Sequence, residues 1–370
     1  MSRKLLSLPL AVFAMAGAAQ ADAPRVAVDI APVHSLVARV MDGVGTPDLI
    51  VPAGASPHEY SLRPSDAAAL EGADLVFWVG EDLTPWLADA LSTLSADALV
   101  TGLLEAEGAT RLEMREDALF EAHDHGHGHD KADDHDHDHK HDHDHGHDHA
   151  KADGHDHKHD HDHDHAKADG HDHGHGHKHG DDHAKAEDHG HGHGHGHAHG
   201  AYDAHAWLSP QNAAVWTRLI AAQLSAADPA NAASYAANAE AALAELEALS
   251  TEISGLLDPV RGGSFIVFHD AYQYFETAFD FPAAGAISIS DASEPSPARI
   301  AEIQGRIRGE GVDCVLAEPQ FNPGLVATVL DGTQAGSAVV DPLGSDLEPG
   351  AGLYAQMMRN LATSLADCLS

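Results

Sequence analysis

From His123 to His199 the chain consists almost wholly of His, Asp, Gly, Lys and Ala, without one large apolar residue, and it holds thirty of the thirty-four histidines. Within it, residues 150–157 and 166–173 are the same eight residues, Ala-Lys-Ala-Asp-Gly-His-Asp-His. Such a tract has no apolar area whose burial could offset the entropy of ordering it, so disorder is expected. Any core must come from the residues on either side, with the tract inserted between them like a loop.

Those flanks read as α/β. Apolar, β-branched runs occur at Val26–Ile30, Asp48–Val51, Leu75–Val79 and Ala98–Leu103. They resume at Phe265–Phe268, Ala284–Ile289, Val312–Leu316 and Ala338–Val340, with Ala- and Leu-rich helical stretches between them. Continuous apolar strands alternating with helices predict parallel sheets covered on both faces. Four strands before the tract and four after it predict two similar lobes. A long helix is expected between them. Asp228 suits its N-cap and Pro229 its first position. Tyr235, Leu243, Leu246, Leu249, Ile253 and Leu257 then form a stripe at three- and four-residue steps. Ser209-Pro210 caps a preceding helix by the same logic. The expected organisation is a lobe over 22–227 containing the tract 123–199, a linking helix over 228–258, and a second lobe over 259–370.

The first residues read as a secretory signal, 1–21. Arg3 and Lys4 precede the apolar run Leu5–Ala16, and Ala19-Gln20-Ala21 gives a small-x-small cleavage site. Export places the mature chain in the periplasm. There, two cysteines, Cys314 and Cys368, most simply form one disulfide. The rival, a thiolate metal site, lacks the close spacing such sites use. The net charge of −39, with His counted neutral, argues against nucleic acid and suits cations, although for the charge alone a solvated acidic surface is the better explanation.

Four histidines lie outside the tract: His34, His58, His205 and His269. His58 sits in Gly54-Ala55-Ser56-Pro57-His58-Glu59-Tyr60, a loop after a strand. His205 lies just before the Ser209-Pro210 cap, and His269 ends the strand Phe265–Phe268. Parallel sheets bind ligands beyond the carboxyl ends of their strands. Three imidazoles suit zinc in tetrahedral geometry. The fourth position is left to Asp341, Glu59 or a water. His34 also follows a strand and is a weaker candidate for the same cleft.

Several segments together resemble the zinc-specific branch of the metal-binding receptors that serve bacterial ABC importers. They are Gly54–Asp66, Asp203–Pro210, Phe268–Phe275, Glu318-Pro319-Gln320-Phe321 and Asp341-Pro342-Leu343-Gly344, in that order. The resemblance implies two α/β lobes joined by a rigid helix with the metal between them. It implies that His58, His205 and His269 are ligands, and it places Asp341 where related receptors supply a carboxylate from the second lobe. In the water alternative, Asp341 would hydrogen-bond a ligand histidine instead. One departure matters: some relatives carry an acid directly before the first ligand histidine, where this chain has Pro57.

The expected function is a monomeric periplasmic receptor that captures Zn2+ in the cleft and passes it to an inner-membrane ABC permease. The tract would collect zinc at weaker sites, losing metal as its imidazoles protonate between about pH 7 and 5.5. The alternative is a metal store or a nickel or copper chaperone working through the tract, since copper also favours nitrogen ligands. A zinc hydrolase is disfavoured, because neither His-Glu-x-x-His nor Gly-x-Ser-x-Gly occurs.

Overall fold

The computed structural model describes residues 23–115, 201–288 and 295–370. The expected signal segment, the histidine tract and Ile289 lie outside the described residues.

The described chain forms two four-stranded parallel sheets. The first contains β1 (Val26–Val28), β2 (Asp48–Leu49), β3 (Leu75–Trp78) and β4 (Leu99–Gly102), ordered β2-β1-β3-β4. The second contains β5 (Phe265–His269), β6 (Gly285–Ser288), β7 (Cys314–Ala317) and β8 (Gly336–Val339), ordered β6-β5-β7-β8. Every pairing is parallel. The eight strands fall on the eight apolar runs, and the two halves repeat one topology.

Helices supply the crossovers. In the first half these are α1 (Ala31–Val40), α2 (Pro64–Gly72) and α3 (Pro85–Leu94). Then come α4 (Pro210–Ala227) and α5 (Ala232–Leu257). The second half uses α6 (Gln273–Phe279), α7 (Pro297–Glu310) and α8 (Pro323–Leu330), and α9 (Leu353–Cys368) ends the chain. At 1.5 Å per residue the 26 residues of α5 span about 39 Å. Its buried face is Tyr235, Ala239, Ala242, Leu246, Leu249, Ile253 and Leu257. Leu243 is only half-buried, and Ala239 and Ala242 complete the stripe instead.

The start of that helix departs from expectation. Asp228 closes α4, its N–H bonding the Leu224 carbonyl, and the helix begins four residues later. The Asp228 carboxylate accepts from Asn231 Nδ2 at 2.7 Å and from the Tyr235 hydroxyl at 2.9 Å. It therefore ties the α4–α5 turn together, and Pro229 falls inside the turn. Ser209 does cap α4 as the sequence indicates, its side chain accepting from Asn212 N.

One core joins both sheets. Val26, Val28 and Phe77 of the first and Phe265, Val267 and Leu316 of the second belong to the same buried cluster, together with Trp216, Leu249, Ile253, Met357 and Leu361. Helix α9 returns from the second half to the first. Tyr354 N donates to Ser35 Oγ on α1 at 3.0 Å, and Arg359 pairs with Glu252 on α5 at 2.9 Å. The Cys314–Cys368 disulfide ties the end of α9 to β7.

Candidate metal centre

His269 is the last residue of β5, whose five side chains are all buried. In the second sheet the chain crosses from one side of β5 to the other between β6 and β7, so β5 and β7 flank the switch in strand order. Ligands favour the crevice at such a switch. Glu318 follows the end of β7 and reaches across it, with Oε1 lying 2.6 Å from His269 Nδ1. The remaining oxygen of Glu318 accepts from Gln320 Nε2 at 2.8 Å.

His205 precedes the short 3-10 turn Ala206–Leu208 that leads into the Ser209 cap. Asp203 Oδ1 accepts from the His205 backbone N–H at 2.9 Å and lies 2.8 Å from its Nδ1. A carboxylate beside Nδ1 fixes the proton there, so Nε2 is the unprotonated nitrogen of both rings. His58 sits on the loop between β2 and α2. That loop is pinned where Trp86 Nε1 donates to the Pro57 carbonyl at 2.7 Å, while His58 N donates to Ser56 Oγ at 3.2 Å.

The structure brings these three histidines together. The His205 ring centroid lies 5.5 Å from that of His58 and 5.3 Å from that of His269. They face a cavity of about 110 Å³, which Trp207 and Asp341 also line. Among the described residues no three His, Cys, Asp or Glu side chains already surround one point as a finished metal cage. Trp207 backs His205 at 5.2 Å, and its Nε1 donates to the Pro342 carbonyl at 2.7 Å, which joins the first half to the Asp341 loop.

Asp341 reaches the cavity wall with its oxygens already engaged. Oδ1 accepts from Leu343 N at 2.9 Å and Gly344 N at 3.0 Å. Oδ2 accepts from Ser345 N and Oγ, both at 2.5 Å. The carboxylate thus holds the turn 341–345, with Gly344 at φ +67°. The histidine contacts expected of Asp341 in the water alternative are made by Asp203 and Glu318. Glu59 is exposed and lies off the cavity wall. His34 is also absent from that wall: it is buried in α1, with Nε2 3.0 Å from the Pro47 carbonyl. Burial lowers its pKa below the usual imidazole value, and the Pro47 contact partly offsets this.

Asp203 and Glu318 were the partners that the sequence reading did not assign. Glu318 was within reach of the same rule that found His269, since it lies just past a strand end. Asp203 stands two residues before His205, a spacing at which a carboxylate can fold back onto the ring.

A family model described as "Zinc-uptake complex component A periplasmic" matches residues 26–368. The high-affinity zinc uptake system protein ZnuA of Brucella suis is 45% identical over 345 residues, covering 93% of this chain and 91% of that protein. The ZnuA of Paracoccus denitrificans is 41% identical over 352 residues, covering 95% and 93%. A crystal structure of ZnuA superposes with a TM-score of 0.64 at 21% identity, covering 94% of this chain and all of the other. A ZnuA deletion mutant with zinc bound superposes at 0.63 and 21%. At that identity the superpositions speak for the fold.

Proposed function

The chain belongs to the family of periplasmic zinc-uptake component A proteins, and from that premise we propose that His58, His205 and His269 hold a transported Zn2+ ion in the cleft between the sheets. The family consists of solute-binding receptors, and the chain is a receptor of this kind and not an enzyme. No described helix is long and apolar enough to cross a membrane.

The ring spacing carries the reading. Imidazoles sharing a tetrahedral zinc through nitrogens at about 2.0–2.1 Å have centroids roughly 5.2 Å apart. The two measured spacings, 5.5 and 5.3 Å, are within a few tenths of that value. Asp203 and Glu318 favour this by presenting Nε2 of their histidines as the ligand atom. A water takes the fourth position, and Asp341 holds the turn beside it. Zinc is bound here as cargo.

Delivery goes to an ABC-type permease, the export signal lies in residues 1–21, and the receptor acts as a monomer. The tract 123–199 collects zinc at sites each weaker than the three-histidine cleft. Deleting residues 123–199 is expected to leave one tight zinc per chain, read by competition with a chelator. His205→Ala in the full chain removes that tight zinc. Loss of the tight zinc on deleting the tract, with His205→Ala harmless, would establish the storage alternative.

A further inference from the structure

The segments that lead into and out of the tract form a short antiparallel stem. Glu113 and Tyr202 pair as an isolated bridge, Asp203 N donates to the Leu112 carbonyl at 2.8 Å, and Met114 N donates to that of Ala201 at 3.3 Å. This stem belongs to the first half, and its second strand runs directly into His205.

Helix α6 of the second half grips both strands, beginning four residues after His269. The Tyr274 hydroxyl accepts from Leu112 N at 3.0 Å and donates to the Asp203 carbonyl at 2.9 Å, so one buried oxygen bridges the two strands. With its amide nitrogen facing the stem, Gln273 donates to the Glu113 carbonyl and to Asp203 Oδ2, each at 3.2 Å. Asp203 Oδ1 is the atom beside His205 Nδ1. Beyond them Arg115 pairs with Asp270 and with Glu276, at 2.9 Å for the latter. Both carboxylates are buried, so removing Arg115 would leave two like charges desolvated together.

We propose that this stem is a strap through which α6 positions His205 against His269, with Gln273 and Tyr274 as its positioning residues. The inference rests on the reading of His58, His205 and His269 as the zinc cage. Two rings on different halves must keep a fixed spacing to share an ion. A covalent path of four residues from His269 to Gln273, then one hydrogen bond to Asp203 and one to His205, links the two rings through the protein. Burial pushes the Tyr274 phenol above its ordinary range, so it remains a donor at all physiological pH. In that amide orientation Gln273 holds Asp203 Oδ2 while Oδ1 faces the imidazole.

The test uses the full chain loaded with one zinc. Release is followed into a chelator strong enough to strip the weaker tract sites before the measurement starts. Tyr274→Phe and Gln273→Met are each expected to speed release about tenfold, as loss of outer hydrogen bonds around a metal ligand typically does. The control is Tyr235→Phe, which deletes an equally buried hydroxyl bonded to Asp228, away from the cleft. Its release should stay within about twofold of the parent even where its thermal midpoint falls as far. In the metal-free protein, the His205 ring proton facing Asp203 should exchange faster in Tyr274→Phe than in Tyr235→Phe. Unchanged release in both strap variants, with His205→Ala abolishing tight binding, overturns the strap and leaves the cage standing. Equal acceleration in Tyr235→Phe also overturns it, as a general loss of stability. Tight binding that survives His205→Ala overturns the cage and the strap together. Gln273→Met retains the test if Tyr274→Phe does not fold.

Discussion

Glu318 gives the sharpest test of the proposed zinc cleft. Its side chain is fully buried and Oε1 lies 2.6 Å from His269 Nδ1. When His269 gives its Nε2 lone pair to an ion, positive charge develops on the ring, and the carboxylate behind it stabilises that charge. Loss of such a partner typically costs 10–100-fold in metal affinity, about 1.4–2.7 kcal/mol. Glu318→Gln keeps the shape and one acceptor oxygen but removes the charge, so it is expected at the lower end, about tenfold. Glu318→Ala leaves the Nδ1–H buried without an acceptor. That adds about 1–3 kcal/mol of desolvation, and its affinity should fall by about a hundredfold or more. The assay is chelator competition at pH 7.5 on the full chain, scoring only the tight site, with thermal unfolding of the metal-free variants as the check on folding. Refutation is specific: both variants within about twofold of the parent while His269→Ala loses the site. His269 would then bind without help from its carboxylate, and the reasoning from Nδ1 would be wrong.

Two further expectations concern stability. Cys314 and Cys368 close a loop of 54 residues, worth about 4 kcal/mol in the chain-entropy account; Cys314→Ala/Cys368→Ala should lower the denaturant midpoint accordingly, and an unchanged midpoint would show that the end of α9 is held by packing alone. Asp29 is buried at the end of β1 and burial raises its pKa to about 7, while hydrogen bonds from Val79 N and Ile30 N pull the other way. The folded state therefore binds a proton that the unfolded chain releases near 3.8, and stability attributable to Asp29 falls as pH rises from about 4 to 7, by up to about 4 kcal/mol. Asp29→Asn should flatten the dependence of the unfolding midpoint on pH between 5 and 7, whatever its effect on absolute stability; an unaltered slope would place the titration elsewhere.

The strands were legible because each is a short apolar run with helix-forming sequence on both sides, and their parallel order follows from that alternation. That His58, His205 and His269 meet at one cavity was legible because His269 ends a strand and His58 and His205 lie in loops flanked by Pro and Ser caps. What could not be read is which carboxylate meets which ring. Asp341 has the right residue type at the right edge, yet four donors from its own turn reach it within five residues of chain. Local donors cost little chain entropy to recruit, so they claim the carboxylate before a distant imidazole can. The start of α5 was misplaced for a related reason. Asp228 and Pro229 are a good helix start in isolation, but Tyr235 reaches back to Asp228 and turns the cap into a clasp between two helices.

The two sheets share one topology, yet the three candidate histidines come unequally from the two halves. In the second sheet the switch in strand order lies between β5 and β7, and it is occupied by His269 and Glu318, an imidazole with its carboxylate. The matching place in the first sheet lies between β1 and β3, just beyond Val28 and Trp78. There Asp29 fills the crevice itself, its carboxylate accepting from Val79 N at 2.7 Å across the switch. Both carboxylate oxygens of Asp29 are engaged by backbone N–H groups, and Asp29 is absent from the cavity wall. The first half must therefore send its histidines from longer excursions: His58 from the loop after β2, and His205 from beyond β4, past the tract. Loops reach further than strand ends but hold position less well. Each is accordingly pinned by an outside donor, the Pro57 carbonyl by Trp86 and the Asp203 carbonyl by Tyr274. A histidine at a strand end is held by the sheet itself, whereas the loop histidines depend on a few hydrogen bonds from outside their loops.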